Sequence, residues 1–321
     1  MSNTDRPHDL ALARESRLTT WHAGLFRAVG RWPWLRRLDT SVAGVVLPLY
    51  DRHRGDLAVE LMHGGRWAGH SVHAALSDLP IGLWSGTLVL DLLRQDVSAD
   101  GRRLDPAGTL SAAGLLAAIA TAATGVTDWS VSDGEDRRVG LLHGLVNGVG
   151  VTLQAASLAA RLAERRTAAR SLSAAGLAVT AAAGYVGGHL VQGRAVMVSR
   201  VATHTGPERW VRAIADPDLA DDVLTGVDVE GRKVLLHRRG PDVRALDDVC
   251  SHAGGLLSRG ALDYCAVECP LHGSRFDLRD GRVLRGPAHS RQPVLPARVR
   301  NGWIEVRGSQ PRARRTTTSE A

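Results

Sequence analysis

The sequence predicts two domains of different classes: a four-helix transmembrane bundle followed by a small all-β domain. The helical domain is indicated by three uncharged stretches of 22, 22 and 23 residues, which lie between Asp105 and Asp128, Arg138 and Arg161, and Arg170 and Arg194. The β domain is indicated by a change after Arg194 to short alternating segments punctuated by glycine and proline. A chain of 321 residues has room for both domains.

Each uncharged stretch matches the length of a membrane-spanning helix, because the hydrocarbon core of a bilayer requires about 20 mainly apolar residues. The stretches are rich in alanine and glycine, which allow helices to pack closely in lipid. The alternative is a set of buried helices in a large soluble bundle, although soluble helices usually keep a polar face.

A shorter apolar run provides the fourth predicted helix. Ser77 is a candidate N-cap, Pro80 fits the first turn, and the run IGLWSGTLVL ends at Asp91. The segment Thr121-Ala-Ala-Thr-Gly125 resembles Thr180-Ala-Ala-Ala-Gly184, as two helical hairpins in tandem would produce. A chance resemblance between alanine-rich segments is the alternative.

Composition and hydropathy divide the chain into five segments. These are an interfacial amphipathic region, the transmembrane domain, a linker, the β domain and a basic flexible tail, at residues 1–65, 66–197, 198–207, 208–308 and 309–321. The arginines that flank the spans number seven on one membrane face and six on the other, so charge does not fix the orientation.

Overall composition excludes two other classes of protein. The net charge of +7 comes from arginines spread along the whole chain, with Lys233 as the single lysine, so no nucleic-acid surface is expected. Three cysteines cannot build the disulfide framework of a small secreted domain.

Two short cysteine–histidine motifs stand in the β region. Cys250 and His252 form the first motif, and Cys269 and His272 form the second. Two such loops facing each other supply two thiolates and two imidazoles, the set required by a [2Fe–2S] cluster with two histidine ligands. A zinc ion accepts the same four donors, although zinc motifs usually group cysteine with cysteine and histidine with histidine.

The runs CSHAGGLLSRG and CPLHGSRFDLRDGRVLRGPA closely resemble the two cluster-binding boxes of the Rieske ferredoxin family. This resemblance implies that Cys250 and Cys269 bind the inner iron of a [2Fe–2S] cluster. It also implies that His252 and His272 bind the outer iron, at an exposed edge where a redox partner docks.

The boxes depart from those of respiratory Rieske proteins, in which a further cysteine in each box forms a disulfide. Gly255 and Leu271 stand at those places here, and Cys265 lies outside both boxes and is expected to be a plain thiol. Ser274 is retained as a donor to a cluster sulfur, whereas Phe276 has no hydroxyl to donate. Without the disulfide, we expect a potential below the respiratory end of the Rieske range.

Residues 60–197 resemble a four-helix bacterial membrane domain that occurs fused to Rieske modules, through AGHSVHAALSDLPIGLW, GLLHGLVN and GYVGGHL. An antiparallel bundle would place His73, His143 and His189 on the membrane face from which the β domain emerges. Facing imidazoles could ligate haem b or another metal, and interhelical hydrogen bonding is the alternative. Four other histidines are interpreted as ordinary surface or loop residues: His63, His204, His237 and His289.

Rieske oxygenases hold a second iron in a large downstream domain, and only 13 residues follow Gly308, so the resemblance implies an electron carrier rather than an oxygenase. The sequence predicts a multi-pass protein of the bacterial cytoplasmic membrane that passes single electrons to or from a redox partner protein. The β domain is expected on the cytoplasmic side. The alternative is a redox sensor or assembly subunit whose cluster controls partner binding.

Overall fold

The computed structural model describes residues 24–93 and 105–308. Residues 24–29 are helical, and seven further helices lie within the described ranges. They are α1 (Pro33–Arg52), α2 (Leu57–His63), α3 (Val72–Leu76), α4 (Asp78–Leu92), α5 (Pro106–Ser130), α6 (Gly134–Leu162) and α7 (Arg166–Gly188). A π-helical turn, His189–Gly193, extends α7. The predicted tail at 309–321 lies outside the described residues.

Three of these helices are long and apolar enough to cross a membrane. They are Pro106–Ser130, Gly134–Leu162 and Arg166–Gly193, which confirms the helices predicted from the uncharged stretches. At most 22% of the residues in each apolar window are buried, and large side chains such as Leu116 and Ile119 point outward. This outward apolar surface favours lipid over water as the surroundings of the helices.

The fourth predicted helix, α4, is shorter than a span normally requires. It has 15 residues, against the roughly 20 needed to cross the hydrocarbon core. Its boundaries agree with the sequence, because Asp78 begins it and Asp91 lies in its last turn. Residues 94–104, which follow it, lie outside the described ranges, so the count of four spans stays a prediction.

Helices α4 and α5 pack as a hairpin with polar contacts to backbone carbonyls. The indole nitrogen of Trp84 donates to the Ser111 carbonyl at 3.4 Å, and the Thr87 hydroxyl lies 3.4 Å from the Ala107 carbonyl. Gly114 makes room for the indole, since a Cβ there would lie 2.3 Å from the Trp84 nitrogen.

Helices α6 and α7 repeat this arrangement. The Gln154 amide donates to the Ser173 carbonyl at 3.0 Å, and the Ser157 hydroxyl donates to the Ala169 carbonyl at 2.7 Å. Gly176 corresponds to Gly114 of the first hairpin and makes room for the Gln154 side chain. A Cβ at Gly176 would lie 3.1 Å from the Gln154 amide nitrogen. The side chains of the first helix in each hairpin correspond at a spacing of 70 residues, as Trp84 with Gln154 and Thr87 with Ser157. The carbonyls that they contact on the second helix correspond at a spacing of 62 residues, as Ser111 with Ser173 and Ala107 with Ala169.

The tandem hairpins therefore exist, but the register read from the sequence is wrong. With a spacing of 62 residues, Gly125 corresponds to Gly187 rather than to Gly184. A Cβ at Gly125 would meet the ring of His73, and a Cβ at Gly187 would meet the ring of His143, whereas nothing lies within 4 Å of that position at Gly184. Close packing of a helix on a side chain fixes the true register, and a run of alanines does not carry that information.

The N-terminal helices contact both domains. On α1, the buried carboxylate of Asp39 pairs with Arg137 of α6 at 2.9 Å, and the Tyr50 hydroxyl lies 3.0 Å from the Thr127 hydroxyl of α5. On α2, the carboxylate of Glu60 accepts the backbone N–H of Gly286 in the β domain at 3.1 Å. The described part of the predicted interfacial region thus lies between the long helices and the β domain.

The C-terminal part is all-β, as predicted, and its named strands pair antiparallel. The segments KVLLHR, DVRAL and WIEV form strands, as the alternation indicates. The strands are β1 (Val211–Ala215), β2 (Thr225–Val229), β3 (Arg232–Arg239), β4 (Asp242–Asp247), β5 (Ala261–Asp263), β6 (Ala266–Glu268), β7 (Arg275–Asp277), β8 (Val283–Arg285), β9 (Val294–Leu295), β10 (Ala297–Arg300) and β11 (Trp303–Val306).

The strands form three sheets, with the orders β1-β11-β10, β2-β3-β4-β9 and β5-β6-β7-β8. One apolar core, which includes Val234, Leu236 and Ile304, joins the first two sheets. A second core, which includes Leu257 and Phe276, lies behind the two cysteine motifs. The third sheet and this second core hold the motif loops in place.

Residues of the predicted linker pack on the β domain. The backbone N–H of Arg200 donates to the Ser251 carbonyl at 2.9 Å, and Val201 is buried. The His204 ring lies 2.8 Å from the buried carboxylate of Asp247. The segment between the domains is thus bonded to the β domain at several points.

Candidate metal centre

The two cysteine motifs lie on loops built in the same way. Cys250 and His252 lie on the loop after β4, and Cys269 and His272 lie on the loop between β6 and β7. In each loop the cysteine N–H donates to a carbonyl five residues later at 2.8 Å. The N–H of a glycine four residues later donates to the cysteine carbonyl at 3.0 Å.

These glycines are required by the backbone. Gly254 has φ of +83° and Gly273 has φ of +71°, a left-handed conformation that disfavours other residues. The turn directs the amides of the loop toward the cysteine sulfur. The N–H groups of His252 and Ala253 face the sulfur of Cys250, and those of Leu271 and His272 face the sulfur of Cys269.

The two thiols are buried side by side and share a hydrogen bond. This bond, with the burial of Cys250, raises the pKa of the Cys250 thiol. The same bond and the two backbone amides lower the pKa of Cys269 to about 6. Cys269 therefore loses its proton first, and a bound metal would have to displace the proton of Cys250 as well, because only a thiolate is a strong ligand.

The two imidazoles lie next to each other beside the thiols. Their ring centroids are 5.0 Å apart, and the rings are nearly perpendicular. Burial and the neighbouring His272 lower the pKa of His252, which keeps that ring neutral, as a metal ligand must be. In His272, Nδ1 is buried without a hydrogen-bond partner. Two thiols and two imidazoles thus converge, and this donor set fits a histidine-ligated [2Fe–2S] cluster.

Gly255 and Leu271, which stand where respiratory Rieske proteins have a disulfide, face each other. A Cβ at Gly255 would lie 2.8 Å from Cγ of Leu271, so the leucine side chain fills the space above the glycine. None of the three cysteines forms a disulfide. Ser274 is fully buried and its oxygen accepts the N–H of Ala288 at 3.0 Å, which leaves its own proton available for donation.

The histidine edge is covered by the helical part of the same chain, so the expectation that it is exposed is wrong. His252 is 7% exposed, and Nε2 of His272 donates to the Asp133 carboxylate at 2.7 Å. Asp133 occupies the N-cap of α6, but its side chain contacts His272 instead of capping the helix. The crevice beside His272 holds about 30 Å³, which admits only a few water molecules.

The structure brings together two of the three histidines proposed for the membrane domain. The ring centroids of His73 and His143 are 6.3 Å apart. Their Nδ1 atoms lie 2.9 Å from the Thr121 carbonyl and 2.8 Å from the Ala183 carbonyl. The side-chain nitrogen of Asn147 lies 3.2 Å from Nε2 of His143. The two bonds to carbonyls are interhelical hydrogen bonds, as the alternative interpretation expects, and Asn147 contacts the His143 ring from within α6. Haem ligation by this pair stays a prediction.

The third proposed histidine has a different environment. His189 lies in the π-helical turn after α7, and its ring stacks on Phe26 with centroids 3.9 Å apart. The two aromatic rings are nearly parallel, at an angle of 13°. His189 thus helps to hold the N-terminal helical segment against the end of α7.

The interpretation of the remaining histidines as surface residues is wrong for two of them. His63 and His237 are 4% and 1% exposed. His63 lies 3.4 Å from the Asp128 carboxylate, and His289 belongs to the same cluster. Sequence inspection could not find these contacts or the Asp133–His272 bond, because the partners are distant in the chain and follow no local motif.

Comparison with known proteins agrees with both predicted modules. A family described as "Rieske [2Fe-2S] domain" matches residues 209–296. A second family, described as "Predicted membrane protein (DUF2231)", matches residues 69–200. The two matches follow one another along the chain, with residues 201–208 between them.

The β domain is similar to small ferredoxins. The ferredoxin component of the naphthalene 1,2-dioxygenase system of Pseudomonas putida is 32% identical over 93 residues, which are 29% of this chain and 89% of the relative. A 3-phenylpropionate/cinnamic acid dioxygenase ferredoxin subunit of Photorhabdus laumondii is 42% identical over 77 residues, 24% of this chain and 72% of the relative. The solved ferredoxin of carbazole 1,9a-dioxygenase from Nocardioides aromaticivorans IC177 is 32% identical, with a TM-score of 0.30, and the match covers 31% of this chain and 98% of that one.

Proposed function

The chain belongs to the Rieske [2Fe–2S] family through its β domain, and from this premise we propose that it is a membrane-anchored carrier of single electrons. The similar proteins are the ferredoxin component or the ferredoxin subunit of dioxygenases. The helical domain would hold the carrier at the bacterial cytoplasmic membrane, on the cytoplasmic side. Its partner would be a reductase or an electron acceptor.

The observation that carries the proposal is the convergence of two thiols and two imidazoles on paired loops. Cys250 and Cys269 would hold the inner iron, and His252 and His272 would hold the outer iron. When bound, the cluster supplies one-electron chemistry at a potential set by hydrogen bonds and burial. The protein contributes the paired amides that face each sulfur, which favour the thiolate form.

The covered edge determines how this carrier would exchange electrons. A partner cannot reach His252 or His272 while the β domain rests on the helical domain, because Asp133 and α2 occupy that surface. Exchange would therefore follow undocking of the β domain, or pass through the helical residues that contact the cluster edge. Either route ties the electron-transfer rate to the contact between the two domains.

The ligand assignment is tested by a pair of cysteine variants. Cys269→Ser should abolish the low-g electron resonance of the reduced cluster, because it removes one thiolate from the inner iron. Cys265→Ser is the matched control and should keep the resonance, since Cys265 lies outside both loops. An unchanged resonance in Cys269→Ser, or its loss in Cys265→Ser, would contradict the assignment.

The carrier role is tested by turnover. The full chain in detergent, mixed with a purified ferredoxin reductase and its electron donor, should cycle between reduced and oxidised forms when an acceptor is added. Absorbance of the cluster follows the cycling. A cluster that stays oxidised in the presence of active reductases and donors would contradict the carrier role.

The same covered edge favours a second function, that of a redox sensor. The bond between His272 and Asp133 joins a cluster ligand directly to the helical domain. A change in cluster charge would alter this bond and could release the β domain to bind a partner. Partner binding that depends on cluster oxidation state, without turnover, would favour the sensor over the carrier.

We propose an anchoring role for the helical domain, with the pair His73 and His143 acting in helix packing. Each ring binds a backbone carbonyl of a facing helix within its own half of the bundle. The two rings themselves meet edge to face across the halves, with centroids 6.3 Å apart. A visible spectrum of the purified full chain tests this role. A haem band that disappears in His143→Ala would show instead that the bundle holds a redox cofactor.

A further inference from the structure

A second group of metal-ligating side chains lies at the junction of the two domains. It consists of His63 at the end of α2, Asp128 near the end of α5, and His289 on the loop after β8. One ligand atom from each residue lies within 4.8 Å of the other two. None of these residues belongs to the cysteine–histidine loops.

The spacing is close to that of a coordinated ion. Nitrogen and oxygen ligands bind first-row metals such as zinc at about 2.0–2.2 Å, so two ligands of one ion lie at most about 4.4 Å apart. Nδ1 of His63 and Oδ1 of Asp128 are already 3.4 Å apart. A small inward movement of the three side chains is therefore sufficient.

The His289 ring is oriented as a ligand would be. It forms a hydrogen bond to the backbone carbonyl of His63, and its Nε2 is buried with no hydrogen-bond partner. A metal-bound histidine typically donates its other ring nitrogen to a carbonyl in this way. Burial also lowers the pKa of His289, so the ring is neutral near pH 7.

The carboxylate of Asp128 lacks a fixed positive charge beside it. Asp128 is 6% exposed, and its partners are the Ser71 hydroxyl and the His63 ring. In the described ranges no arginine or lysine lies within salt-bridge distance of this carboxylate. A buried carboxylate normally has a compensating charge, and a bound cation would supply it.

We propose that His63, Asp128 and His289 form a binding site for one divalent first-row transition metal ion at the junction of the helical and β domains. Two imidazoles and one carboxylate are a donor set suited to iron(II) or zinc, with further positions left for water. Because His63 and Asp128 come from the helical domain and His289 from the β domain, the ion would also fasten the two domains together.

Zinc is the probe, because the cluster contributes iron and no zinc. The full chain in detergent, with its cluster intact, is stripped of loose metal with a chelator and equilibrated with Zn²⁺ alone. We expect one zinc per chain after dialysis, counted against the iron of the cluster. A wild-type protein that keeps its cluster and retains no zinc would overturn the proposal.

Variants locate the zinc. Loss of one outer-shell partner of a metal typically weakens binding 10–100-fold, so removing a ligand in His289→Ala should weaken it by about a hundredfold or more. His53→Ala is the matched control, since its imidazole also contacts a carboxylate, Asp56 at 2.7 Å, but on an exposed surface. Equal zinc affinity in His289→Ala and the wild type would overturn the assignment.

Two further measurements test the site even if His289→Ala fails to fold. His63→Gln changes the helical domain alone and should lose the zinc while the cluster absorbance persists. X-ray absorption at the zinc edge of the wild type should show only nitrogen and oxygen neighbours. Sulfur neighbours would place the zinc on Cys250 and Cys269 and would exclude the junction site.

Discussion

Asp277 lies at the end of β7 and is bonded to two arginines. Its carboxylate accepts from Arg279 at 2.6 Å and from Arg282 at 3.2 Å, and it also accepts the backbone N–H of Arg279 at 2.9 Å. The side-chain bond to Arg279 is the main reason that the pKa of Asp277 falls to about 2. The turn that follows the second cluster loop is therefore held by a carboxylate that stays ionised in acid.

We expect Asp277→Asn to lower the free energy of unfolding by about 1–2 kcal/mol at pH 7. Because the pKa of Asp277 is lower in the folded than in the unfolded chain, its ionised form stabilises the fold at pH values above the unfolded-state pKa, near 4. This stabilisation is lost as the pH falls toward 2. The estimate is below the full linkage energy because the arginines are more than half exposed. Denaturant unfolding of both proteins at pH 7, 4 and 3 measures the difference.

The control for this prediction is Asp242→Asn, because the Asp242 carboxylate is 69% exposed and lies 3.8 Å from its arginine. It should leave stability unchanged throughout this pH range. A stability difference for Asp277→Asn that stays constant from pH 7 to pH 3 would show that the effect does not come from ionisation.

At this scale the sequence identified the candidate cluster residues and missed their neighbours. The candidate ligands lie close together in sequence within each motif, as Cys250 with His252 and Cys269 with His272. A motif of this kind can be recognised from the sequence without knowledge of the fold. Asp133 and Glu60 lie 139 and 226 residues from the groups they contact, so only the fold brings these pairs together. Neither acidic residue stands in a pattern that distinguishes it from other acidic residues.

At the scale of elements, the two helical hairpins are built on one plan. Each pairs a polar side chain of its first helix with a backbone carbonyl of its second, and each uses a glycine at the crossing point. The apolar stretches and their lengths predicted the helices, because bilayer thickness sets that length. The register of the repeat was not predictable, since it depends on which glycine lies under a bulky side chain.

Gly114→Ala should destabilise the first hairpin. The new Cβ would lie 2.3 Å from the indole nitrogen of Trp84, whose side chain is 1% exposed. Overpacking of this kind costs about 1–3 kcal/mol. Thermal unfolding of the full chain in detergent, followed by tryptophan fluorescence, measures the loss.

Gly184→Ala is the matched substitution in the second hairpin. No atom lies within 4 Å of its added Cβ, so we expect no loss, and a gain of up to about 1 kcal/mol from the higher helix propensity of alanine. Equal effects of the two substitutions would mean that the crossing at Trp84 is looser than the structure indicates.

At the scale of the whole molecule, the β domain rests on the helical domain through the edge that carries the candidate cluster histidines. Contacts at this junction include Asp133 with His272, Glu60 with Gly286, and Gly65 with Ala288. The last is a backbone contact so close that a Cβ at Gly65 would lie 2.1 Å from the Ala288 carbonyl oxygen. The sequence predicted both domains but not their contact, because the contact depends on shape rather than on motif.

The docked arrangement can be tested at Glu60, whose side chain is 5% exposed. Glu60→Ala leaves the N–H of Gly286 buried without an acceptor, which costs about 2 kcal/mol for a bond to a charged group. Domain opening should therefore become roughly 30-fold more frequent, at about 1.4 kcal/mol per tenfold change. Hydrogen–deuterium exchange of a peptide that spans residues 286–289, measured on the full chain in detergent, should accelerate accordingly. Asp56→Ala, at the exposed N-cap position of the same helix, where the side chain makes no capping bond, should leave this exchange unchanged. Exchange that responds to neither substitution would mean that Glu60 does not hold the two domains together.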